Sequence, residues 1–212
     1  MTDAEKDQEH ISTVVLNHAT IPDRTAYILD KSQPNPLPVM INDAKRLESA
    51  GADFIVIPCN TAHYFYEEIQ ANVGIPILNI IEETVKYAKQ NNNGIKKLGI
   101  LATDGTIQAG SYQRVCEKYG IECLIPDKDD RTKLMHIIYG CVKAGKKADF
   151  DEFFGIIENM KNRGCDAVVL GCTELSVVHR DYKVNRNDVI DSLEVLAKTG
   201  ILRCGKKLKE NT

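Results

Sequence analysis

The sequence predicts an α/β protein made of two pseudo-symmetric, doubly wound parallel-sheet halves. Three observations predict it. Short apolar runs alternate with amphipathic stretches, the pattern of βαβ units around a parallel sheet. The runs are bounded by glycine, proline and aspartate, which punctuate buried strands. One pattern then occurs twice: Gly51-Ala52-Asp53-Phe54-Ile55-Val56-Ile57-Pro58-Cys59 returns as Gly164-Cys165-Asp166-Ala167-Val168-Val169-Leu170-Gly171-Cys172, an offset of 172 − 59 = 113. The next strand returns as well, Ile77-Leu78-Asn79 matching Val189-Ile190-Asp191 at 191 − 79 = 112, with Glu82 meeting Glu194. Two matched units at nearly one offset define an internal repeat.

The elements follow in order. Lys31 to Pro38 holds three prolines and reads as a loop. Asp43 to Ala50 reads as a helix closed by Gly51. Phe54 to Ile57 is a strand buried on both faces, and Ile75 to Ile81 is a second, interrupted by Pro76 and Asn79. A helix from Glu82 to Gln90 runs into a loop, Asn91 to Gly94. The second half opens with a strand over Lys97 to Thr103, centred on Leu98 to Ala102, and a tight loop at Asp104-Gly105-Thr106. Helices are predicted over Gln108 to Tyr119, Asp130 to Lys143 and Asp149 to Arg163, the last capped by Asp149 and stopped by Gly164. Ala167 to Leu170 and Val189-Ile190 are the closing strands. The expected division is residues 1–96 plus 186–212 as a first unit and 97–185 as a second. Subtracting the repeat offset from the strand at Lys97 places its counterpart before Met1. The first half is therefore expected to lack its opening strand and loop, with Met1 an internal methionine of a longer product.

Composition narrows the function. The 212 residues carry 27 Lys and Arg against 30 Asp and Glu, a net charge of −3. That balance argues against an electrostatic nucleic-acid binder and against a membrane-surface protein. The apolar runs are far short of the ~20 residues of a membrane span. The polar start, Met1 to Asp7, does not resemble a signal peptide, so the expected location is the cytoplasm. Seven cysteines, none spaced C-x-x-C, argue against a disulfide framework and against the common zinc signatures. His10, His18, His136 and His179 show no ligand spacing, and no metal site is expected.

The repeat singles out Cys59 and Cys172. Ligands of an open parallel sheet bind beyond the carboxyl ends of its strands, where both cysteines lie, each just before an expected helix. A helix N-terminus offers free N–H groups and partial positive charge, which favours thiolate. Hydrogen-bonding residues follow each: Asn60 and Thr61, then Thr173 and Glu174. Two thiols on opposite sides of one cleft suit inversion of a stereocentre, one base taking a proton from one face and a conjugate acid returning it on the other. Fixed N–H and hydroxyl donors would hold the developing carboxylate charge. The other five cysteines read as packing. His63 reads as a helix-start residue at the rim of the cleft.

Pro58-Cys59-Asn60-Thr61-Ala62-His63 and Gly171-Cys172-Thr173-Glu174 together resemble the paired signatures of the aspartate/glutamate racemase family, in its aspartate racemase-like branch. Leu101 to Thr106, Asp7 to His10 and Ile21 to Thr25 extend the resemblance over essentially the whole chain. It implies Rossmann-like halves with the active site in the cleft between them. It implies cofactor-independent racemisation, without pyridoxal phosphate or metal, by Cys59 and Cys172, and a homodimer. Asn60, Thr61, Thr103, Thr106 and Thr173 match positions that hold the amino-acid substrate. Glu174 matches an acid beside the second cysteine that orients the amine or tunes the thiol. An acidic side chain needs a cation: Arg24 is suited to a two-bond carboxylate contact, and Lys143 resembles a family lysine near the cleft. The family usually opens with a strand and a Gly-rich loop, which this sequence lacks. Other enzymes of the wider superfamily, such as a hydantoin racemase or maleate isomerase, and an inactive ligand-binding remnant stay open as alternatives.

Overall fold

A computed structural model describes residues 1–91, 94–183 and 186–209. Asn92 and Asn93 of the expected loop, and Val184, Asn185 and 210–212 at the edges of the expected units, lie outside the described residues. The chain is α/β with two parallel sheets. A two-stranded sheet pairs β1 (Ile55–Val56) with β2 (Ile77–Leu78). A four-stranded sheet has β3 (Lys97–Leu101), β4 (Glu122–Leu124), β5 (Ala167–Leu170) and β6 (Val189–Asp191) in the order β4-β3-β5-β6.

The sequence repeat is a repeat of register. Ile55 pairs with Ile77 and Val56 with Leu78; at the repeat offset, Val168 pairs with Val189 and Val169 with Ile190. The helices that follow begin alike. Asn79 Oδ1 accepts the N–H groups of Ile81 and Glu82 at the start of α4 (Ile80–Asn91). Asp191 Oδ1 accepts those of Leu193 and Glu194 at the start of α10 (Ser192–Arg203). Asn and Asp at equivalent positions thus cap equivalent helices. α4 and α10 pack against each other in a cluster that includes Val85, Val195 and Leu196. In the segment 186–209, then, β6 belongs to the four-stranded sheet, α10 lies on α4, and Leu208 bridges Thr2.

β3 and β5 are buried because both sheet faces are covered. Val168 and Leu170 point into a cluster with Phe153, Ile156, Ile157 and Met160 of α8 (Phe150–Asn162). Ala167 and Val169 point the other way, towards α4, α10 and α6 (Ser111–Lys118). β1 differs from expectation: Val56 is 44% exposed, because α2 (Leu37–Ser49) and α3 (Tyr66–Gln70) cover only the Ile55 and Ile77 face.

Other boundaries also move. α2 starts six residues before the expected Asp43, at Leu37, because Pro38 stands in the first turn, where a missing N–H costs nothing. The expected loop at 104–106 is the first turn of α5 (Asp104–Ala109), with Thr103 as its N-cap. Gly110, at φ 65°, then separates α5 from α6 within the expected 108–119 helix. The expected 130–143 helix is α7 (Lys128–Met135) followed by a π-helical segment over His136–Val142. Two elements escaped the sequence reading: β4, and α1 (Arg24–Leu29), which is capped by Asp23 accepting the Ala26 N–H. The remaining helix is α9 (Thr173–Asp181). Among the described residues no helix is long and apolar enough to cross a membrane.

Candidate active site

The site lies beyond the carboxyl ends of β1, β3 and β5. Cys59 follows β1 and precedes a 3₁₀ turn over Thr61–Phe65. Its carbonyl is held by His63 Nδ1 at 2.9 Å, while His63 Nε2 accepts the Ile80 N–H at 3.2 Å. An acceptor at Nε2 places the proton on Nδ1, and burial holds the ring below the usual histidine range. His63 is 6% exposed, so it is an internal brace for the Cys59 loop and not a rim residue.

Threonines form the next layer. Thr61 Oγ1 lies 3.0 Å from Thr103 Oγ1 and 2.9 Å from Thr106 Oγ1, and those two lie 3.1 Å apart. Thr25 donates to Thr103 at 3.3 Å. This hydroxyl cluster ties α1, the Cys59 loop and the start of α5 into one wall. Asn60 is 2% exposed and bonded at both ends of its amide: Tyr112 donates to Oδ1 at 2.8 Å, and Nδ2 donates to Ser192 Oγ at 2.9 Å.

Cys172 is the N-cap of α9, and its thiol donates to Glu174 Oε2 at 2.9 Å. Thr173 Oγ1 donates to the same oxygen at 3.2 Å, and Lys143 Nζ stands 3.8 Å from Oε1. The expectation that the helix start favours thiolate is corrected at this cysteine. Burial, and then the Glu174 carboxylate, push the Cys172 thiol well above its ordinary range. A negative charge at hydrogen-bond distance outweighs the helix dipole, whose effect is a fraction of a unit charge.

One cavity gathers the two cysteines. Its walls include Cys59, Asn60 and Thr61 from one loop, Cys172, Thr173 and Glu174 from another, and Thr103 between them. Arg24 closes one side; its Nη1 donates to the Pro22 carbonyl at 3.1 Å. Lys143 closes another, with Nζ 4.2 Å from the centre of the Tyr139 ring. Thr106 is the one expected site residue outside the cavity lining, and it reaches the site through Thr61 and Thr103. Asp23, Thr25, Pro58 and Tyr139 also line the cavity and were not among the site residues expected from the sequence. Tyr139 had a signal, standing four residues before Lys143. Among the described residues no group of three His, Cys, Asp or Glu is placed to hold a metal ion. The arrangement offers two thiols, two cations and a set of fixed hydroxyl and N–H donors around a space for a small molecule.

The chain belongs to the Asp/Glu/Hydantoin racemase family, whose model matches residues 1–200. It is similar to the aspartate racemase of Picrophilus torridus, with a TM-score of 0.83 at 35% identity, covering 99% of this chain and 87% of that one. The broad specificity amino-acid racemase RacX of Bacillus subtilis is 32% identical over 163 residues, 76% of this chain and 69% of the relative. The glutamate racemase of Aquifex pyrophilus is 30% identical over 161 residues, which is 58% of that protein's length. The family is one of isomerases acting on small molecules.

Proposed function

We propose that this chain racemises aspartate, glutamate or both by a two-thiol mechanism without pyridoxal phosphate or metal. The carrying observation is that Cys59 and Cys172 line one cavity together with two cations, Arg24 and Lys143. In one direction the Cys59 thiolate removes the α-proton and becomes a thiol. The Cys172 thiol gives its proton to the opposite face of the carbanion and becomes a thiolate. The reverse reaction exchanges the roles. Cys172 is the resting acid in this scheme, since its environment favours the protonated form. Glu174 receives the S–H bond and adds to the preference that burial sets.

The α-carboxylate is held by the Asn60–Thr61 loop, Thr103 and Thr173, whose donors meet the charge that develops as the α-carbon loses its proton. Thr106 fixes the Thr61 and Thr103 hydroxyls. Arg24 and Lys143 receive the side-chain carboxylate, which favours a dicarboxylic substrate over a neutral hydantoin. A homodimer, as the family resemblance implies, and a cytoplasmic location complete the proposal.

The test is incubation with L-aspartate, and separately L-glutamate, in deuterium oxide, following α-hydrogen exchange and optical rotation. The expected result is inversion with deuterium incorporation. Cys59→Ala and Cys172→Ala are each expected to lower inversion by about 10²–10⁴-fold or more, the usual worth of an acid–base group. An active single variant, or a wild-type protein that exchanges neither substrate, overturns the proposal. Turnover of a hydantoin or of maleate instead would move the chain to another activity of the family.

A further inference from the structure

We infer that Tyr112 and Ser192 are positioning residues which, with Asn60, form a buried strut fixing the Cys59 loop against the strand end that carries Cys172. The inference rests on the two-thiol reading of the site. Neither residue lines the cavity. Both are fully enclosed, Tyr112 at 1% exposure and Ser192 at 0%.

Each of the two side chains touches the Cys59 loop and the chain just before Cys172. The Tyr112 hydroxyl donates to Asn60, the residue after Cys59. The Tyr112 ring lies on Gly171, the residue before Cys172: a Cβ on Gly171 would stand 3.1 Å from Tyr112 Cε2 and 3.2 Å from the Leu101 carbonyl. Ser192 accepts from Asn60 Nδ2 at 2.9 Å and donates to the Leu170 carbonyl at 2.7 Å. Leu170 is the last residue of β5, two before Cys172. The strut therefore joins the β1 loop, α6, the start of α10 and the end of β5.

Its hydrogen bonds run in one direction. A backbone carbonyl can only accept, so the Ser192 proton is committed to Leu170. Ser192 Oγ must then accept from the Asn60 NH₂ group, which leaves Asn60 Oδ1 to accept from Tyr112. Burial raises the phenol far above the range in which it could lose that proton. With the Ser192 proton on Leu170, a flipped amide would set Asn60 Oδ1 against the Ser192 oxygen, so these bonds favour one seat for the loop. Polar groups this deeply buried are costly to leave unpaired, which makes the seat rigid.

Rigidity matters for a specific step. Removing an α-proton takes one thiol, whereas inversion takes two thiols correctly spaced across the carbanion. A displacement near 1 Å costs on the order of 10²-fold in a positioned reaction. Loosening the strut should therefore damage inversion more than exchange with retention, in which one thiolate takes the proton, exchanges it as a thiol for a solvent deuteron and returns that deuteron to the same face.

The experiment compares the wild type with Tyr112→Phe and Ser192→Ala in deuterium oxide, using L-aspartate, or L-glutamate if that is the amino acid turned over. Chiral separation with mass detection gives deuterated starting enantiomer and deuterated product. Each variant is expected to lower kcat for inversion by roughly 10- to 100-fold with a smaller change in KM. The ratio of retained, exchanged substrate to inverted product is expected to rise about tenfold or more. Because it is a ratio, it does not depend on the folded fraction of either variant. A purely structural role lowers both products together and leaves the ratio at its wild-type value, which overturns the inference while the two-thiol reading stands. A wild-type protein with no exchange, or one whose inversion survives loss of either thiol, overturns both.

Discussion

Glu174 acts directly on the proton affinity of Cys172. It accepts from Cys172 and from Thr173, and its second oxygen faces Lys143. Its charge and its hydrogen bond both favour the Cys172 thiol, on top of the larger effect of burial. Glu174→Gln removes the charge and leaves the burial. The expected outcome is a lower midpoint in the pH dependence of Cys172 alkylation by iodoacetamide, read by mass spectrometry of the Cys172 peptide. An unchanged midpoint would assign the shift to burial alone. Legibility at this scale depended on local context. Cys59 and Cys172 were readable because the repeat placed each after a strand and before polar residues. Tyr112 and Ser192 were not. Tyr112 sits in the apolar stripe of α6, and Ser192 follows a capping aspartate, so each has a sufficient local explanation. Their contact through Asn60 spans 52 and 132 residues of sequence, beyond any periodic signal.

Among the elements, those with long, one-sided patterns were read most accurately. α8 begins and ends within a residue of expectation, since Asp149 caps it and its apolar face is unbroken. The π-helical segment was hidden. Its first residues, His136 to Ile138, continue the apolar spacing of α7, and a seven-residue widening does not change which types of residue alternate. That widening brings the Lys143 N–H to the Ile138 carbonyl, a five-residue step, and leaves Tyr139 and Lys143 side by side at the cavity. β4 was missed because its three residues include none that are fully buried. Gly105 was assigned to a turn, but the structure uses it for close packing. A Cβ there would lie 2.9 Å from both Thr25 Cα and Thr25 Oγ1, so α5 and α1 meet with backbone against backbone. Gly105→Ala therefore forces α1 outward, taking Thr25 from Thr103 and Arg24 from the cavity wall. The expected cost is about 1–3 kcal/mol in urea unfolding, the range for overpacking, despite the better helix propensity of alanine. A stability equal to or above wild type would show that α1 yields without strain.

The whole molecule shows how one repeated unit was built twice around a shared cleft. The likeness of β1 and β2 to β5 and β6 was legible because strand and cysteine recur at nearly one spacing, and the structure shows that it extends to register. Sheet membership was not, since nothing local in Val189 to Asp191 specifies β5 as its neighbour. Among the groups that tie the assembly to pH, one is buried and one is paired. His63 braces the Cys59 loop against the start of α4, and its folded-state pKa lies below the ordinary 6.5 because burial disfavours the charged ring. Below pH 6.5 the unfolded chain takes a proton that the folded chain refuses. The stabilisation is complete above that pH and falls as pH drops, with a slope approaching about 1.4 kcal/mol per pH unit for one proton. Asp188, at the foot of β6, is held at about 2 by Arg186, with Lys161 adding to the effect. Its contribution is present above the ordinary 3.8 and is lost as pH falls towards 2. Urea midpoints measured from pH 8 to pH 2.5 should therefore fall in two stages. His63→Gln, which keeps an acceptor for the Ile80 N–H but cannot titrate, should flatten the first stage and leave the second. Asp188→Asn should shrink the second stage, to which Asp166 and Glu82 also contribute, and leave the first. A His63→Gln protein that still loses stability between pH 6.5 and 5 as steeply as the wild type would place that proton elsewhere. The brace behind Cys59 would then have no part in the acid sensitivity of the fold.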